Sequence, residues 1–194
     1  MVINHRIIIL VCLFSSLLVI LVSNPPNIQG IFHSESSEEF KTYENPLYGI
    51  NIKYPNDWRH YEKNGPETFS PDRIFQVSFL SPSNKVLSDM VFVWFNIEKI
   101  KDSVSLDDRK NILLKNLNNS SIDVKVQSTK LSGIDAFMID YTNKAIELQR
   151  NIGIEAIRDG LLYSLDFTAR PDTFEKNLDS IETMIKSMNI SSIA

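Results

Sequence analysis

The sequence has few of the residues from which catalytic sites are built. It contains one cysteine, Cys12, and three histidines, of which His60 is the only one after His33. A histidine-centred triad would have to use His60, and an H-E-x-x-H zinc site or a Cys/His dyad has too few residues to form. The G-x-S-x-G, P-loop and G-x-G-x-x-G motifs are absent. We therefore expect a protein that is not an enzyme and that needs no cofactor.

Basic runs and disulfide-forming cysteines are missing as well. The net charge is −4, with both signs spread along the chain, so nucleic acid is not an expected partner. Cys12 lies inside an apolar run without the small preceding residue that lipidation requires, and it is interpreted as a plain apolar residue. The remaining chain of about 150 residues must be stabilised by a hydrophobic core, which one domain of that size can form.

The N-terminal apolar run covers residues 7–22, with Arg6 before it and Pro25-Pro26 after it. The run is shorter than the roughly 20 residues of a spanning helix and long for a signal peptide. It predicts an uncleaved signal anchor, with a cleaved signal peptide as the alternative. Because no Lys or Arg follows until Lys41, the positive-inside bias places the rest of the chain outside the cytoplasm. The protein is then membrane-anchored, or secreted if the signal is cleaved.

The composition divides the chain into three segments. Residues 1–22 form the anchor or signal peptide, and residues 23–42 are rich in Ser, Asn, Pro and Glu with few apolar residues. The second segment predicts a flexible polar tether. Residues 43–194 form the globular domain.

Alternating apolar and polar residues predict most of the strands in this domain. The predicted strands are 50–54, 74–80, 90–97, 124–131, 136–142, 146–158 and 161–168. The strand at 90–97 is apolar on both faces and is expected inside the sheet. Gly153 is interpreted as a bulge, and Asp159-Gly160 as a hairpin turn.

Two helices are predicted between and after these strands. The first covers 105–117, where Ser105 and Asp108 form a capping box. The second is opened by Pro171 and carries one apolar stripe from Phe174 to Met188. Strands, helix, strands and helix in this order favour an α+β fold, with an antiparallel sheet of about seven strands flanked by helices in an α/β/α sandwich.

Trp58 and His60 need a specific interpretation. Trp58 follows the strand-ending Pro55 and is predicted to anchor a turn against the sheet edge. His60, beside it, is interpreted as part of this aromatic turn rather than as a ligand-site residue.

Asp140 and Asp166 each lie within an otherwise apolar strand, where a buried carboxylate is costly unless it is paired. The favoured interpretation is exposure to solvent or an ion pair with Arg150 or Arg158. The alternative is a site for a divalent cation or a polar ligand, with Asp140 and Asp166 as its candidate residues.

Four segments of the sequence resemble the PsbP-like domain family. They are Tyr48-Gly49-Ile50-x-Ile52-x-Tyr54-Pro55-x-x-Trp58, Leu131-Ser132-Gly133-x-x-Ala136, Leu162-Tyr163-x-Leu165-x-Phe167-x-Ala169, and Phe174 through Met184-Ile185-x-Ser187. The family takes its name from an extrinsic subunit of photosystem II and shares a sandwich fold with the Ran-binding Mog proteins. The resemblance covers residues 43–190 and implies that fold.

The resemblance also implies a binding or assembly module rather than an enzyme. Photosystem members dock through an N-terminal extension and basic surface residues, whereas this chain has an apolar segment and an acidic tether there, which argues against a photosystem role. The first hypothesis is therefore a membrane-tethered module outside the cytoplasm that binds another protein or helps to assemble a complex. The alternative is a domain that binds a small molecule or a divalent cation.

Overall fold

A computed structural model describes residues 39–66, 71–83, 89–117, 121–144 and 148–191 of the protein. These residues belong to one compact unit, Glu38–Ala194. The predicted anchor at 7–22 and the tether before residue 39 lie outside the described residues. Within the part of the chain that is described, no helix is long and apolar enough to cross a membrane.

Ten strands are described, and they form two antiparallel sheets. In chain order they are β1 (Phe40–Asn45), β2 (Ile50–Pro55), β3 (Arg59–Asn64), β4 (Arg73–Leu80), β5 (Phe92–Lys99), β6 (Ser121–Leu131), β7 (Ile134–Asn143), β8 (Gln149–Arg158), β9 (Leu161–Ala169) and β10 (Asn189–Ile190). The small sheet has the order β1-β2-β10, and the large sheet has the order β3-β4-β5-β9-β8-β7-β6. Strand β5 is an interior strand, as its two apolar faces predict.

Three of these strands are missing from the sequence prediction. Strand β3 is exposed along its whole length and therefore shows no apolar alternation. Strand β10 has only two residues. Strand β1 begins at Phe40, within the segment predicted to be the tether. Its polar composition shows no strand pattern, and its conformation is stabilised by pairing with β2.

Three helices accompany the sheets, namely α1 (Leu106–Leu117), α2 (Pro171–Lys176) and α3 (Leu178–Ser187). The capping box of α1 is confirmed, since the Asp108 N–H donates to Ser105 Oγ at 3.1 Å and the Ser105 N–H donates to Asp108 Oδ2 at 3.0 Å. The prediction of one continuous last helix is wrong, because the helix is interrupted at Asn177. The Asn177 side-chain amide donates to the Thr173 carbonyl at 2.8 Å, so that carbonyl has a local partner outside the helical pattern.

Helices cover both faces of the large sheet, and strand β7 shows this directly. Its Ala136 belongs to the main core, together with Ile181 and Met184 of α3. Its Phe137 and Ile139 belong to a second cluster with the side chains of α1. Because successive strand residues point to opposite faces, α1 and α3 lie on opposite sides of the sheet, and the predicted α+β sandwich is confirmed.

Candidate functional site

Asp140 is held in an ion pair on the face of the sheet that carries the main core. Arg150 Nη2 lies 2.9 Å from Asp140 Oδ2, and Arg150 Nε donates to Asp140 Oδ1 at 3.2 Å. Arg150 also pairs with Glu175 of α2, and its guanidinium carbon lies 4.7 Å from the centre of the Phe174 ring. The interpretation of Asp140 as a partner of arginine is therefore the one that the structure shows.

Arg150→Ala is expected to lower the free energy of unfolding by about 2 kcal/mol, because the half-buried Asp140 carboxylate loses both charged hydrogen bonds. Asp140→Asn should cost less, about 1 kcal/mol, since an amide can still accept from Arg150. Urea denaturation of both variants measures the difference. Added Ca²⁺ should leave the melting temperature unchanged. A rise at micromolar Ca²⁺ that Asp140→Asn abolishes would contradict this account.

Asp166 lies on the opposite face from Asp140. Asp166 pairs directly with Gly153, and Gly153 with Ile139, whereas Asp140 pairs with Ile152. Directly opposed residues of antiparallel strands share a face, so the two aspartates cannot bind one cation. Nowhere in the described ranges do three or more His, Cys, Asp or Glu side chains come together in a group that could hold a metal ion.

Asp166 lines a cavity of about 370 Å³ on this second face of the large sheet, which we call the Asp166 pocket. Three rows of directly paired residues cross strands β5, β9, β8 and β7 here. The rows are Phe92, Thr168, Asn151 and Tyr141; Trp94, Asp166, Gly153 and Ile139; and Asn96, Ser164, Glu155 and Phe137. Helix α1 packs at the β7 end of the rows through Leu113, and Leu113 also lines the pocket.

Gly153 makes room for the Asp166 carboxylate. A Cβ atom at this position would lie 2.9 Å from Asp166 Oδ1, closer than real Cβ contacts allow. Pairing through Gly153 continues in register with both neighbouring strands. The prediction of a bulge at Gly153 is therefore wrong, and the glycine is explained by the close approach of a side chain on the next strand.

The environment of Asp166 favours its protonated form. Burial, together with the charges of Glu155 and Glu98, raises the pKa of the Asp166 carboxyl to about 7, against the lowering effects of a hydrogen bond with Ser164 and the charge of Arg109. Burial and the charge of Asp166 also raise the pKa of Tyr141. The pocket therefore contains a carboxyl group that titrates near neutral pH.

Glu155, by contrast, is fully engaged by a cation. Arg109 of α1 donates from Nε to Glu155 Oε2 at 3.0 Å and from Nη2 to Oε1 at 2.8 Å. Glu155 is 7% exposed, so this bidentate pair compensates a buried charge. The pair also fastens α1 to β8 beside the pocket.

Comparison with known proteins gives the family. The sequence matches the model described as PsbP-like protein over residues 1–190. This chain belongs to the PsbP-like family. No curated protein matches the sequence. The resemblance stated from the sequence is therefore confirmed.

Solved structures show the same fold for this PsbP-like domain. The cyanobacterial PsbP, CyanoP, from Synechocystis sp. PCC 6803 matches with a TM-score of 0.56 and 13% identity, over 79% of this chain and 94% of that one. LpqN of Mycobacterium tuberculosis matches with a TM-score of 0.54 and 14% identity, over 79% and 91%. A protein of Bacteroides thetaiotaomicron has a TM-score of 0.50 and 15% identity, over 78% and 48%.

Sequence reasoning identified Asp166 but missed most of its surroundings in this PsbP-like domain. Glu155 stands between Ile154 and Ala156, and the criterion of an acid in an apolar strand would have found it. Trp94 was not recognised as a pocket residue, because an aromatic residue in a strand with two apolar faces is expected to be part of the core. No sequence signal connects Arg109 to Glu155, since they meet only when α1 packs on β8.

His60 and Trp58 lie away from the pocket residues described above. His60 Nδ1 lies 2.8 Å from the Tyr54 hydroxyl, and its ring centre is 5.3 Å from that of Tyr43. Trp58 is 3% exposed in the main core. Trp58 has the packing environment that the sequence predicts, whereas His60 lies in the exposed strand β3 rather than in a turn, with its ring in contact with Tyr43 and Tyr54.

Proposed function

We propose that this PsbP-like domain is a non-catalytic binding module that takes a small polar molecule in the Asp166 pocket. The observation that carries the proposal is a half-buried carboxyl group facing a cavity of about 370 Å³, a size within the range of about 300–1,000 Å³ for ligand pockets. Trp94 and Tyr141 supply aromatic surface, while Asn96 and Asn151 supply hydrogen-bonding groups. A few polar groups around apolar walls are typical of small-molecule sites.

The two acids that line the pocket, Asp166 and Glu155, favour a binding function over acid–base catalysis. A protonated acid beside an ionised carboxylate is a pattern used by enzymes. Here, however, both oxygens of Glu155 accept from Arg109, so Glu155 is poorly placed to take a proton from a substrate. The Ser164 hydroxyl accepts from the Asn96 amide at 3.2 Å and hydrogen-bonds to the Asp166 carboxyl. The described lining of the pocket includes no histidine that could act as its base in a nucleophilic mechanism.

The ligand-binding proposal is tested by mapping amide chemical shifts of the full chain in a non-ionic detergent. The probes are amines, sugars, alcohols and carboxylates at millimolar concentration. We expect at least one class to shift the amides of Trp94, Gly153 and Asp166 together. Asn96→Phe, which fills part of the pocket, should weaken this response, whereas Leu47→Phe at a turn position that is 70% exposed should not. Shifts that are absent or confined to other regions would count against the proposal.

The location outside the cytoplasm also remains a proposal. It is supported by the apolar run at 7–22 and the one-sided position of Arg6. A membrane-tethered module of this kind would bring its ligand, or a protein partner, to the membrane surface and assist the assembly of a complex there. The structural neighbour LpqN is described as involved in cell envelope biogenesis, which is compatible with such a role for this fold.

Protease treatment of intact cells is expected to remove the domain while cytoplasmic proteins survive. The reason is that residues after the anchor would face the outside. An immunoblot against the domain, with a cytoplasmic protein as the control, measures this. A domain that resists treatment of intact cells but is digested after lysis would place it in the cytoplasm.

A further inference from the structure

We propose that the ligand of the Asp166 pocket is a small organic monocation, an amine in its ammonium form whose charged head lies against the Asp166 carboxylate. This inference rests on the proposed function and specifies the chemical class of its ligand. It is carried by the charges around the pocket and by the groups beside Asp166.

The charges around the pocket leave one carboxylate without a matching cation. The carboxylates are Asp166 of β9, Glu155 of β8 and Glu98 of β5, and the guanidiniums are Arg109 of α1 and Arg73 of β4. Arg109 engages Glu155. Arg73 lies opposite Glu98 in the β4–β5 register, and its Nη1 donates to Gln76 Oε1 at 3.3 Å. An ionised Asp166 therefore gives the pocket an excess of one negative charge, which a ligand with one positive charge balances.

The groups around Asp166 suit an ammonium head with a short apolar chain. Asn96 and Asn151 occupy the rows on either side of the row that contains Asp166. Asn151 Oδ1 already accepts from the Thr168 hydroxyl, but an amide oxygen has two lone pairs, and an ammonium group has three donors to share between such acceptors and Asp166. Trp94 directly opposes Asp166 across the β5–β9 pair. Its aromatic surface, together with Tyr141 on the other side, can interact with a cation and cover its carbon chain.

Other ligand classes fit these residues less well. A divalent metal ion prefers six or more oxygen ligands, and Glu155 is already bound through both oxygens to Arg109. An anion would be attracted by Arg73, but the lining carries more negative charges, those of Asp166, Glu98 and Glu155, which repel it. A neutral polyol would be compatible with protonated Asp166 and is the main competitor in the test.

The test compares three probes of nearly equal size: butylammonium, butanol and butyrate. Binding to the full chain in a non-ionic detergent is followed at pH 8 through the amide shifts of Trp94, Gly153 and Asp166. We expect butylammonium to bind at least about tenfold more tightly than butanol, because a charge-assisted hydrogen bond is roughly twice as strong as a neutral one. Butyrate should produce no pocket shifts. Asp166→Asn should weaken butylammonium binding about tenfold, and Asp135→Asn, at an exposed position, should leave it unchanged.

The pH dependence supplies a second readout. Between pH 8 and pH 6 the affinity for butylammonium should fall as Asp166 takes up a proton, since its pKa is about 7, and Asp166→Asn should remove this fall. The charged and titratable groups that face Asp166 are Glu98, Glu155, Arg73, Arg109 and Tyr141. The wild type and Asp166→Asn share all of these groups, so a difference between their pH profiles reports on Asp166.

The outcomes separate the two proposals. Equal binding of butanol and butylammonium, or unchanged cation binding by Asp166→Asn, would overturn the cation inference while the pocket remains a binding site. If no probe of any class shifts the pocket amides, the proposed function fails as well.

Discussion

Trp58→Ala is expected to lower the free energy of unfolding by about 3 kcal/mol, the lower end of the range for removing a fully buried large aromatic side chain. The Trp58 side chain is 3% exposed, and the backbone N–H of Trp58, which the substitution keeps, donates to the Pro55 carbonyl at 3.1 Å. It stands between β2 of the small sheet and β3 at the edge of the large sheet. The loss therefore leaves a cavity where the chain passes from one sheet to the other.

Guanidinium denaturation of Trp58→Ala measures this loss, and Trp94→Ala is the matched control. The chain has two tryptophans, and Trp94 is only partly buried, at the Asp166 pocket. Trp94→Ala should cost less stability while weakening ligand binding. Unchanged stability of Trp58→Ala combined with lost binding to a partner would show that Trp58 is a contact residue instead.

Asp166→Asn is expected to stabilise the protein at pH 8. In the unfolded chain the carboxyl ionises near pH 4, whereas in the folded protein it keeps its proton until about pH 7. As the pH rises from about 4 to 7, the unfolded state loses its proton first, so the stability of the wild type falls. A pKa shift from about 4 to about 7 lowers the free energy of unfolding by up to about 4 kcal/mol, and this full loss is reached above about pH 7.

The difference in unfolding free energy between Asp166→Asn and the wild type, measured from pH 4 to pH 8, isolates this effect. The difference should be small at pH 4 and should grow in favour of Asp166→Asn up to about pH 7. Asp140→Asn is the control, and it should lower stability at neutral pH because it weakens the pair with Arg150. A difference that is independent of pH would show that Asp166 ionises normally in the folded state.

A destabilising carboxyl group in a pocket is a reason to assign the pocket a function. Buried acids with strongly shifted pKa values concentrate at binding and catalytic sites, where their cost is compensated by what they bind. Gly153 supports the same assignment, since a side chain at this position would collide with the Asp166 carboxylate.

The parts of the fold that the sequence predicts are those whose pattern is local. Strands such as β9, with Tyr163, Leu165 and Phe167 on one face, are predicted by the alternation of side chains between the two faces. Strand β3 and the two-residue β10 owe their conformation to pairing with β4 and β2, which no local pattern encodes. The break at Asn177, whose side-chain amide donates to the Thr173 carbonyl, lies within an otherwise regular apolar stripe that predicts a continuous helix.

The candidate site could be predicted only as isolated residues. A polar residue in an apolar strand marks Asp140 and Asp166, and the sequence suggested Arg150 or Arg158 as a partner without assigning either to one acid. The face that each acid occupies depends on the register between β7, β8 and β9, and the Asp166 pocket exists only when four strands and α1 are assembled.

The titration of the Asp166 side-chain carboxyl by ¹³C NMR, without and with butylammonium, tests the central claim most directly. In the free protein the account predicts a midpoint of about pH 7, because the pocket disfavours the charged carboxylate. Butylammonium should lower that midpoint, because a bound cation favours the ionised form. A midpoint near 4, the ordinary value for aspartic acid, that butylammonium leaves unchanged would contradict the account.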